Sequence, residues 1–375
     1  MQKKIDLNNV ELLVGIIMTF SLPLSEAIKN IAFGILFLCF CIQRIKKGNL
    51  YLTPFAKGLL IFLSTAIFCS FFSMEKSLSF KNSWDIFRFS TIYLILINDF
   101  KEENKKRFIE WSLIIGTTLS TIWGIVVWKA IWQKTAFLEI ASLGHFNSTG
   151  IFLSLILILI ECKLFAIKNN KKISLLLLFC IIIITIALIL TTNRGGLIGF
   201  IIASSICLSL IKTRKKAILI LLIIIFVGTI VAFLNKDFRE KFTSLASIKE
   251  RLVIWKLAIK QFRSHPIFGS GNCFSKIDFN SHGIKKVSQA HNIFIHTACQ
   301  MGIIGLIGLF CSIFGFIFTW FRTKENYRKY AAIGAFIILV FTGIFEANFI
   351  KEMAIAFVMI SFLMDEDSKK EFKES

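Results

Sequence analysis

The sequence predicts an all-α polytopic integral membrane protein. Hydrophobic residues make up 55% of the 375 residues, and the mean hydropathy is +0.72. A water-soluble globular protein cannot bury so much apolar surface in its core. Apolar windows recur along the chain, each near the roughly 20 residues that a helix needs to cross about 30 Å of hydrocarbon. We therefore expect about twelve transmembrane helices in a single membrane domain, 1–375, with no separate soluble domain.

These windows place the predicted spans in order along the chain. The spans are 8–24, 27–43, 55–73, 84–98, 109–132, 149–167, 173–191, 195–211, 217–234, 292–321, 330–347 and 350–364. The fourth and the last are short for a bilayer. No small-residue cleavage site follows the first window, so we interpret it as a retained span and not as a removable signal.

Alternate connections between the spans are rich in Lys and Arg, which predicts their side of the membrane. Short basic loops stay in the cytoplasm, so both termini are expected there. The predicted cytoplasmic connections carry Arg44, Lys46, Lys47, Lys101, Lys105, Lys106, Arg107, Lys168, Lys171, Lys172, Lys212, Arg214, Lys215, Lys216, Arg322, Lys324, Arg328 and Lys329. Much of the net charge of +21 therefore comes from the basic residues that determine the membrane topology. Nucleic acid is not an expected partner.

One long polar segment, 235–290, lies between the ninth and tenth spans. It is basic, yet the order of the spans places it outside, and long loops translocate largely regardless of charge. Within it, apolar residues recur at the spacing of one helix face at Ile248, Leu252, Trp255, Ile259 and Phe262. We expect an amphipathic helix at the outer surface, and its basic face can also contact anionic membrane lipids.

The same outer side is predicted to carry the stretch TTNRGG, 191–196. Arg194 there and Arg251 in the loop could hold a diphosphate, because guanidinium groups make bidentate bonds to phosphate oxygens. The alternative for Arg194 is a snorkelling anchor at the membrane boundary. The glycines that follow, Gly195 and Gly196, let the backbone approach a ligand or another helix.

A histidine pair opens the tenth span in the stretch AHNIFIH. Helix N-termini disfavour imidazolium, so His291 tends toward the neutral form that can accept a proton. The alternative is a capping or interface histidine. His296 is expected to be packed or hydrogen-bonded. Glu346, at the end of the eleventh span, could shape the site, although a solvated carboxylate is an equal alternative.

No metal site, cofactor or disulfide scaffold is expected from the sequence. His291 and His296 lack the H-E-x-x-H pattern, and no cysteines form a C-x-x-C pair. Cys273 is the only cysteine in the predicted loop, which argues against a disulfide framework there. The remaining cysteines lie mostly in apolar spans, where they fit as small core residues.

The order of these motifs resembles the O-antigen ligase family, WaaL, and Wzy-type polysaccharide polymerases share parts of it. After Arg194-Gly195 come R-x-x-x-W with Arg251 and Trp255, a P-x-x-G-x-G turn, A-H-N with His291 and Asn292, and G-x-x-G. Upstream, GHFNSTG at 144–150 matches a segment that precedes a span in this family. The specific part covers about 144–310. Asn193 departs from the pattern, since members commonly have a small hydroxyl residue there.

The resemblance implies glycosyl transfer in lipopolysaccharide biosynthesis. The donor would be a glycan on undecaprenyl diphosphate and the acceptor lipid A–core, at the periplasmic face of the bacterial inner membrane. It implies that Arg194 and Arg251 bind the diphosphate, that His291 activates the acceptor hydroxyl, and that the reaction inverts the anomeric centre without metal. The remaining matched residues are assigned to substrate binding, namely Asn147, Asn193, Gly195, Trp255 and Asn292.

Several other functions share parts of this pattern. A Wzy-type polymerase would use a second glycan on the same carrier as acceptor, and a related enzyme would transfer the glycan to protein. A twelve-span secondary transporter is the alternative from another class, followed by a structural membrane scaffold. The late position of the loop and A-H-N favour the ligase. The chain shows no matching halves or paired broken helices, which argues against the transporter.

Overall fold

The computed structural model describes residues 7–129, 137–167, 169–211, 246–271, 274, 277, 279, 287, 289–347 and 351–364. Helices account for 81% of these residues, and they contain no strand. In chain order the helices of the described part are α1 Leu7–Ser21, α2 Glu26–Lys47, α3 Pro54–Phe72, α4 Lys76–Asp99, α5 Glu103–Val127, α6 Phe146–Ala166, α7 Lys171–Leu190, α8 Arg194–Leu210, α9 Ala246–Ser264, α10 Ile293–Arg322, α11 Tyr327–Gly343 and α12 Lys351–Leu363.

These helices agree with the predicted spans in position. Each predicted span except the ninth has a helix in its place, and α9 occupies the position of the predicted amphipathic helix. The ninth span, 217–234, lies outside the described residues, as do Cys273, most of the remaining loop and the C-terminal tail. Six described helices are long and apolar enough to cross a membrane, and α1 and α8 are shorter apolar helices. The all-helical, multi-pass membrane class is confirmed, whereas the number of spans stays a prediction.

The centre of the bundle is formed by α6 and α12. In α6, 94% of the apolar window is buried, and every residue of α12 from Glu352 to Leu363 is buried. The outer helices instead expose large apolar side chains such as Leu175, Trp123 and Phe318. A helix that is apolar all round belongs in the middle, and exposed apolar surface of this kind suits contact with lipid.

Close packing of α3 against α10 depends on small residues. A Cβ on Gly58 would lie 2.4 Å from the carbonyl oxygen of Cys311, and one on Gly315 would lie 2.5 Å from that of Pro54. Helices in membranes approach closely where small residues let their backbones meet. This crossing fixes α10 against the first half of the chain.

Helix α10 is interrupted at Gly302, whose φ of 63° and ψ of −159° are not helical. The interruption removes the helical partners of four backbone groups, and the turn 266–271 replaces them. Ser270 N and Gly271 N donate to Cys299 O and Gln300 O at 3.0 and 2.9 Å. In return, Ile303 N and Ile304 N donate to Pro266 O and Ile267 O at 2.9 and 3.3 Å. Broken helices are tolerated in membrane proteins where other protein groups satisfy the freed backbone in this way.

Both glycines of the P-x-x-G-x-G turn have left-handed backbone, and Gly271 also packs closely. Its φ is +74°, and a Cβ there would lie 1.8 Å from Ser73 Oγ, in the connection between α3 and α4. The turn therefore joins α3, α4 and the broken part of α10. The sequence predicted the turn and the glycines of α10 as separate motifs, whereas the structure makes them one unit.

The bundle has two different ends. One, the cavity end, contains the described parts of the connections from α1 to α2, α3 to α4, α5 to α6, α7 to α8 and α11 to α12, together with α9 and the start of α10. The opposite end carries the described parts of the connections from α2 to α3, α4 to α5, α6 to α7 and α10 to α11, which are among those predicted to be basic. There Glu110, which is fully buried, accepts from Lys163 Nζ at 2.9 Å and Arg328 Nη2 at 3.2 Å. Burial of such charges is tolerated because each is paired.

One expectation about cysteine was wrong. Cys299, in the first turns of α10, is disulfide-bonded, and its partner lies outside the described residues. Among the described cysteines, Cys39, Cys41, Cys69, Cys162, Cys180, Cys207 and Cys311 are free. The expectation rested on the cysteines of the loop alone, whereas Cys299 lies in a helix of the bundle.

Candidate functional site

Glu346 joins three predicted features of the site. Its Oε1 accepts from Arg251 Nη2 at 2.9 Å and from Asn147 Nδ2 at 2.7 Å. Its Oε2 lies 2.8 Å from His291 Nδ1. The Glu346 side chain is 11% exposed, against 24% for Arg251 and 23% for His291. A carboxylate between the loop helix, α6 and the start of α10 thus brings Asn147, Arg251 and His291 together.

His291 is held in an unusual backbone conformation immediately before α10. Its φ is 51°, a region that costs a non-glycine residue on the order of 1–3 kcal/mol. The following Asn292 caps α10, since its Oδ1 accepts from Phe294 N and Ile295 N, and its Nδ2 donates to Ile344 O at 3.1 Å. The cap thereby fixes His291 beside the segment that carries Glu346. Asn292 is buried and acts in this structure as a helix cap.

Strained backbone is concentrated at this end of the molecule. In the part of the chain that the structure describes, the non-glycine residues with positive φ are Thr192, His291 and Lys351. Thr192 and His291 lie in connections at the cavity end, and Lys351 is the first residue of α12. Strain of this kind persists only where the surroundings enforce it, and it clusters at functional sites.

Asn193 links α8 to α6 behind the site. Its Oδ1 accepts from Gly196 N at 2.7 Å, which caps α8, and its Nδ2 donates to Asn147 O at 2.6 Å. Asn147 in turn donates to Glu346. The buried Asn193 therefore supports Asn147 from behind, and the structure does not place it on the cavity.

The two glycines after Arg194 have different environments. A Cβ on Gly196 would lie 3.0 Å from Gly150 O and from Ser154 Oγ, so this residue permits close packing of α8 on α6. A Cβ on Gly195 would meet its nearest atoms at 3.5 and 3.7 Å, which is ordinary contact. The sequence left two roles for these glycines, close approach to a ligand or to another helix. Gly196 has the second role.

Helix α9 holds Arg251 over the site. Trp255 Nε1 donates to Ala290 O at 2.9 Å, next to His291, so Trp255 fastens α9 to the A-H-N segment. Ile254 and Ala258 pack on Phe274 and Cys299, whereas Leu252 and Ile259 are exposed. Leu252 and Ile259, which belong to the predicted apolar face, are thus directed outward. The contact of α9 with the rest of the protein is made by Ile254 and Ala258, which lie between the predicted apolar positions.

The two arginines are near one another. The positive charge of Arg251 repels that of Arg194, the first residue of α8. Arg251 makes its hydrogen bond to Glu346 through Nη2, and its other N–H groups bond to no described residue. Arg194 lies at the N-terminus of α8, where the helix dipole adds to its positive charge.

A cavity of about 620 Å³ opens beside this network. Asn147, His291 and Glu346 line it, together with residues from α3, α4, α10 and the start of α12. Of the predicted site residues, Asn147 and His291 belong to its lining. The lining does not include Arg194, Arg251, Asn193, Gly195, Trp255 or Asn292. His296 is buried, stacks on Phe274 at 5.4 Å, and accepts from Ala290 N at 3.4 Å. It is a packed, hydrogen-bonded histidine, as expected.

The model of the O-antigen ligase family matches residues 178–310. Over these residues the chain is similar to the O-antigen ligase family, which supports assignment to that family. The predicted resemblance is confirmed. A search of curated proteins found no match. The family is one of membrane enzymes of glycosyltransferase type, which supports a ligase- or polymerase-type function in O-antigen processing with a lipid-linked glycan and a lipid acceptor in general.

The matched O-antigen ligase segment runs from within α7 to within α10. It contains Arg194, Arg251 and His291, whereas Asn147 and Glu346 lie outside it. Glu346 received little weight from the sequence, where its signal was a lone carboxylate in the apolar stretch FEANF. Asn82, Gln289 and Gln300 on the cavity lining were missed. The signal for Asn82 was the polar start of α4, which begins at Lys76, well before the predicted span at 84.

Proposed function

We propose that the protein is an O-antigen ligase that transfers a glycan from undecaprenyl diphosphate to lipid A–core. The observation that carries the proposal is the meeting of His291 and Arg251 on Glu346 beside a cavity. Both His291 and Arg251 lie within the matched residues 178–310, and Glu346 lies beyond them. This arrangement places a potential base and a potential phosphate ligand on one carboxylate.

His291 acts as the base in this proposal. A carboxylate can only accept, so the contact with Glu346 Oε2 places the proton of a neutral imidazole on Nδ1. The lone pair is then on Nε2. Since His291 lines the cavity, this nitrogen is available to an acceptor hydroxyl. General base catalysis of this kind contributes about 10²–10⁴-fold.

Arg194 and Arg251 bind the donor diphosphate. A diphosphate between the two guanidinium groups would offset their mutual repulsion. Arg251 has N–H groups that bond to no described residue, and these bind the phosphate oxygens. The leaving group gains negative charge as the glycosidic bond breaks, so cations fixed in place lower the barrier.

The reaction is a direct displacement. The acceptor hydroxyl oxygen forms a bond to the anomeric carbon of the donor, and its proton goes to Nε2 of His291. The bond from that carbon to the diphosphate breaks, and its electron pair leaves with the phosphate oxygen. Attack opposite the leaving group inverts the anomeric centre. Neither a metal nor a cofactor takes part.

The cavity end faces the periplasm in this proposal, with both termini and the basic connections in the cytoplasm of the bacterial cell. The positive-inside rule supports this orientation, since the opposite end carries the predicted basic connections. The disulfide of Cys299 is a second argument, because disulfides form and persist in oxidising compartments such as the periplasm. This orientation implies one membrane domain, 1–375, with spans in 1–234 and 291–364, a periplasmic loop at 235–290 and a cytoplasmic tail at 365–375.

A reconstitution tests the reaction. The purified full chain is mixed with undecaprenyl-diphosphate glycan, with and without rough lipopolysaccharide, in the presence of a chelator, and the products are resolved on a gel. We expect one acceptor-dependent shift into lipopolysaccharide. A ladder on the carrier without acceptor would show a polymerase, and no turnover would favour the transporter.

Matched histidine variants accompany this assay. His291→Ala should abolish transfer while the protein remains in the membrane, and His265→Ala should transfer normally. Full activity of the His291 variant would remove the proposed base.

A further inference from the structure

The cavity carries amide side chains that the proposed transfer chemistry does not use. Asn82 of α4, Gln289 before α10 and Gln300 within α10 all line it. Their side chains make no hydrogen bond to any residue that the structure describes, and Asn82 is exposed. Polar groups that converge on a cavity without protein partners are available to a ligand.

Asp85, one turn from Asn82, lines the same cavity, and one oxygen of its carboxylate is hydrogen-bonded within the protein. Its Oδ1 accepts from Arg88 Nη2 at 3.2 Å. Arg88 is buried, donates to Asn30 Oδ1 at 2.8 Å, and lies 3.7 Å from Glu352 Oε1. Glu352 in turn is paired with the buried Lys29. This chain of ion pairs holds the Asp85 carboxylate at the cavity from behind.

We propose that Asn82, Asp85, Gln289 and Gln300, here called the amide wall, bind a sugar ring of a glycan substrate. The proposal rests on the proposed function and specifies where its carbohydrate lies. An amide both donates and accepts, as a sugar hydroxyl does, and a carboxylate accepts from two neighbouring hydroxyls. A cavity of about 620 Å³ is within the range of ligand pockets.

The charges of the cavity favour sugar over phosphate at this wall. The wall itself contributes three neutral amides and one carboxylate, and neither Arg194 nor Arg251 is part of the lining. The cation on the lining, Lys351, interacts with Asp85, whose negative charge offsets it. A phosphate on the wall would meet the negative charge of Asp85, whereas a neutral sugar would not. The ring is therefore bound on the wall, and His291, which lines the same cavity, receives the proton of the reacting hydroxyl.

Direct binding of lipid-free glycans to the purified full chain tests the amide wall without turnover. One probe is the delipidated glycan of the donor, and the other is the delipidated core oligosaccharide of the acceptor. The double variant Asn82→Ala/Gln300→Ala should weaken binding of at least one probe by about tenfold or more, since two hydrogen-bonding groups are removed. Asp85→Asn should weaken the same probe.

The control variant is Asn104→Ala, which removes an exposed amide at the opposite end of the molecule. It should bind both probes as the parent does. A loss confined to the core oligosaccharide assigns the wall to the acceptor, and a loss confined to the donor glycan assigns it to the donor. Unchanged binding of both probes by the double variant, or no binding by the parent, overturns the proposal.

The two proposals fail separately. If the parent binds a probe through the amide wall but reconstitution yields no transfer, the ligase proposal fails and the glycan site stands. If transfer occurs while the double variant binds and transfers like the parent, the glycan site fails and the ligase proposal stands.

Discussion

At the scale of single residues, the site depends on one carboxylate that serves several partners. Glu346 lies 55 residues from His291, 95 from Arg251 and 199 from Asn147 in the sequence. Each partner belonged to a recognisable motif and was predicted. The role of Glu346 as their shared partner could not be predicted, because it arises from contacts between distant parts of the chain and not from a local pattern.

Glu346→Gln should lower kcat by about 10²-fold or more, because His291 loses the anion that fixes its tautomer. The shape of the side chain is kept, so the protein should accumulate normally. Steady-state rates of transfer with both substrates varied measure the effect. Glu325→Gln, an exposed carboxylate at the opposite end, is the control. A Glu346 variant with parental kcat would contradict the positioning of His291.

Arg251→Ala should reduce kcat/KM by about 10²–10³-fold, as removal of a transition-state donor does elsewhere. Arg251→Lys should retain part of the activity, because its ammonium keeps the charge but loses the bidentate geometry. Initial rates of transfer at low donor concentration report both changes. Arg263→Ala removes an exposed arginine of the same helix and should have no effect. Equal activity of the lysine variant and the parent would argue against bidentate binding.

At the scale of elements, the interruption of α10 decides how the loop is attached. The sequence contained both halves, the turn at 266–271 and the glycines of α10, and predicted a continuous span. Their pairing could not be predicted, because an interrupted helix and a straight one share the same apolar pattern. The carbonyl groups of Cys299 and Gln300 bond to the turn only once the bundle has brought it there.

Gly302→Ala should destabilise the protein by more than about 1–2 kcal/mol, the cost of a left-handed conformation for a residue with a Cβ. The added Cβ would also lie 2.2 Å from Ile267 O, so the turn must move. Thermal unfolding of the purified protein should show a lower Tm. Gly34→Ala, in α2 with nothing within 4 Å, should leave Tm unchanged or slightly higher. An unchanged Tm for Gly302→Ala would contradict the described interruption.

At the scale of the whole molecule, the class and the order of helices followed from hydropathy. Length and apolar composition placed α1–α8 and α10–α12 close to their observed bounds, except that α4 begins eight residues before its predicted span. The arrangement of the helices did not follow, since the central positions of α6 and α12 reflect packing between small residues and buried ion pairs. The proposed orientation rests on the distribution of basic residues.

Labelling with a membrane-impermeant maleimide on spheroplasts should separate the two ends. Ser264→Cys, exposed at the end of α9, should react in intact spheroplasts, because we place it in the periplasm. Asn104→Cys should react only after lysis. The parent chain provides the background from its free cysteines. The reverse pattern would invert the proposed orientation and place the cavity in the cytoplasm.

The exchange of backbone hydrogen bonds between the turn 266–271 and α10 also limits what can be transplanted between relatives. A loop taken from one ligase brings two donors and two acceptors that require a matching interruption in the recipient helix. A recipient with an unbroken helix would leave those groups unpaired inside the protein. Chimeras that aim to change acceptor preference should therefore exchange the loop and the first half of α10 together as a single segment pair.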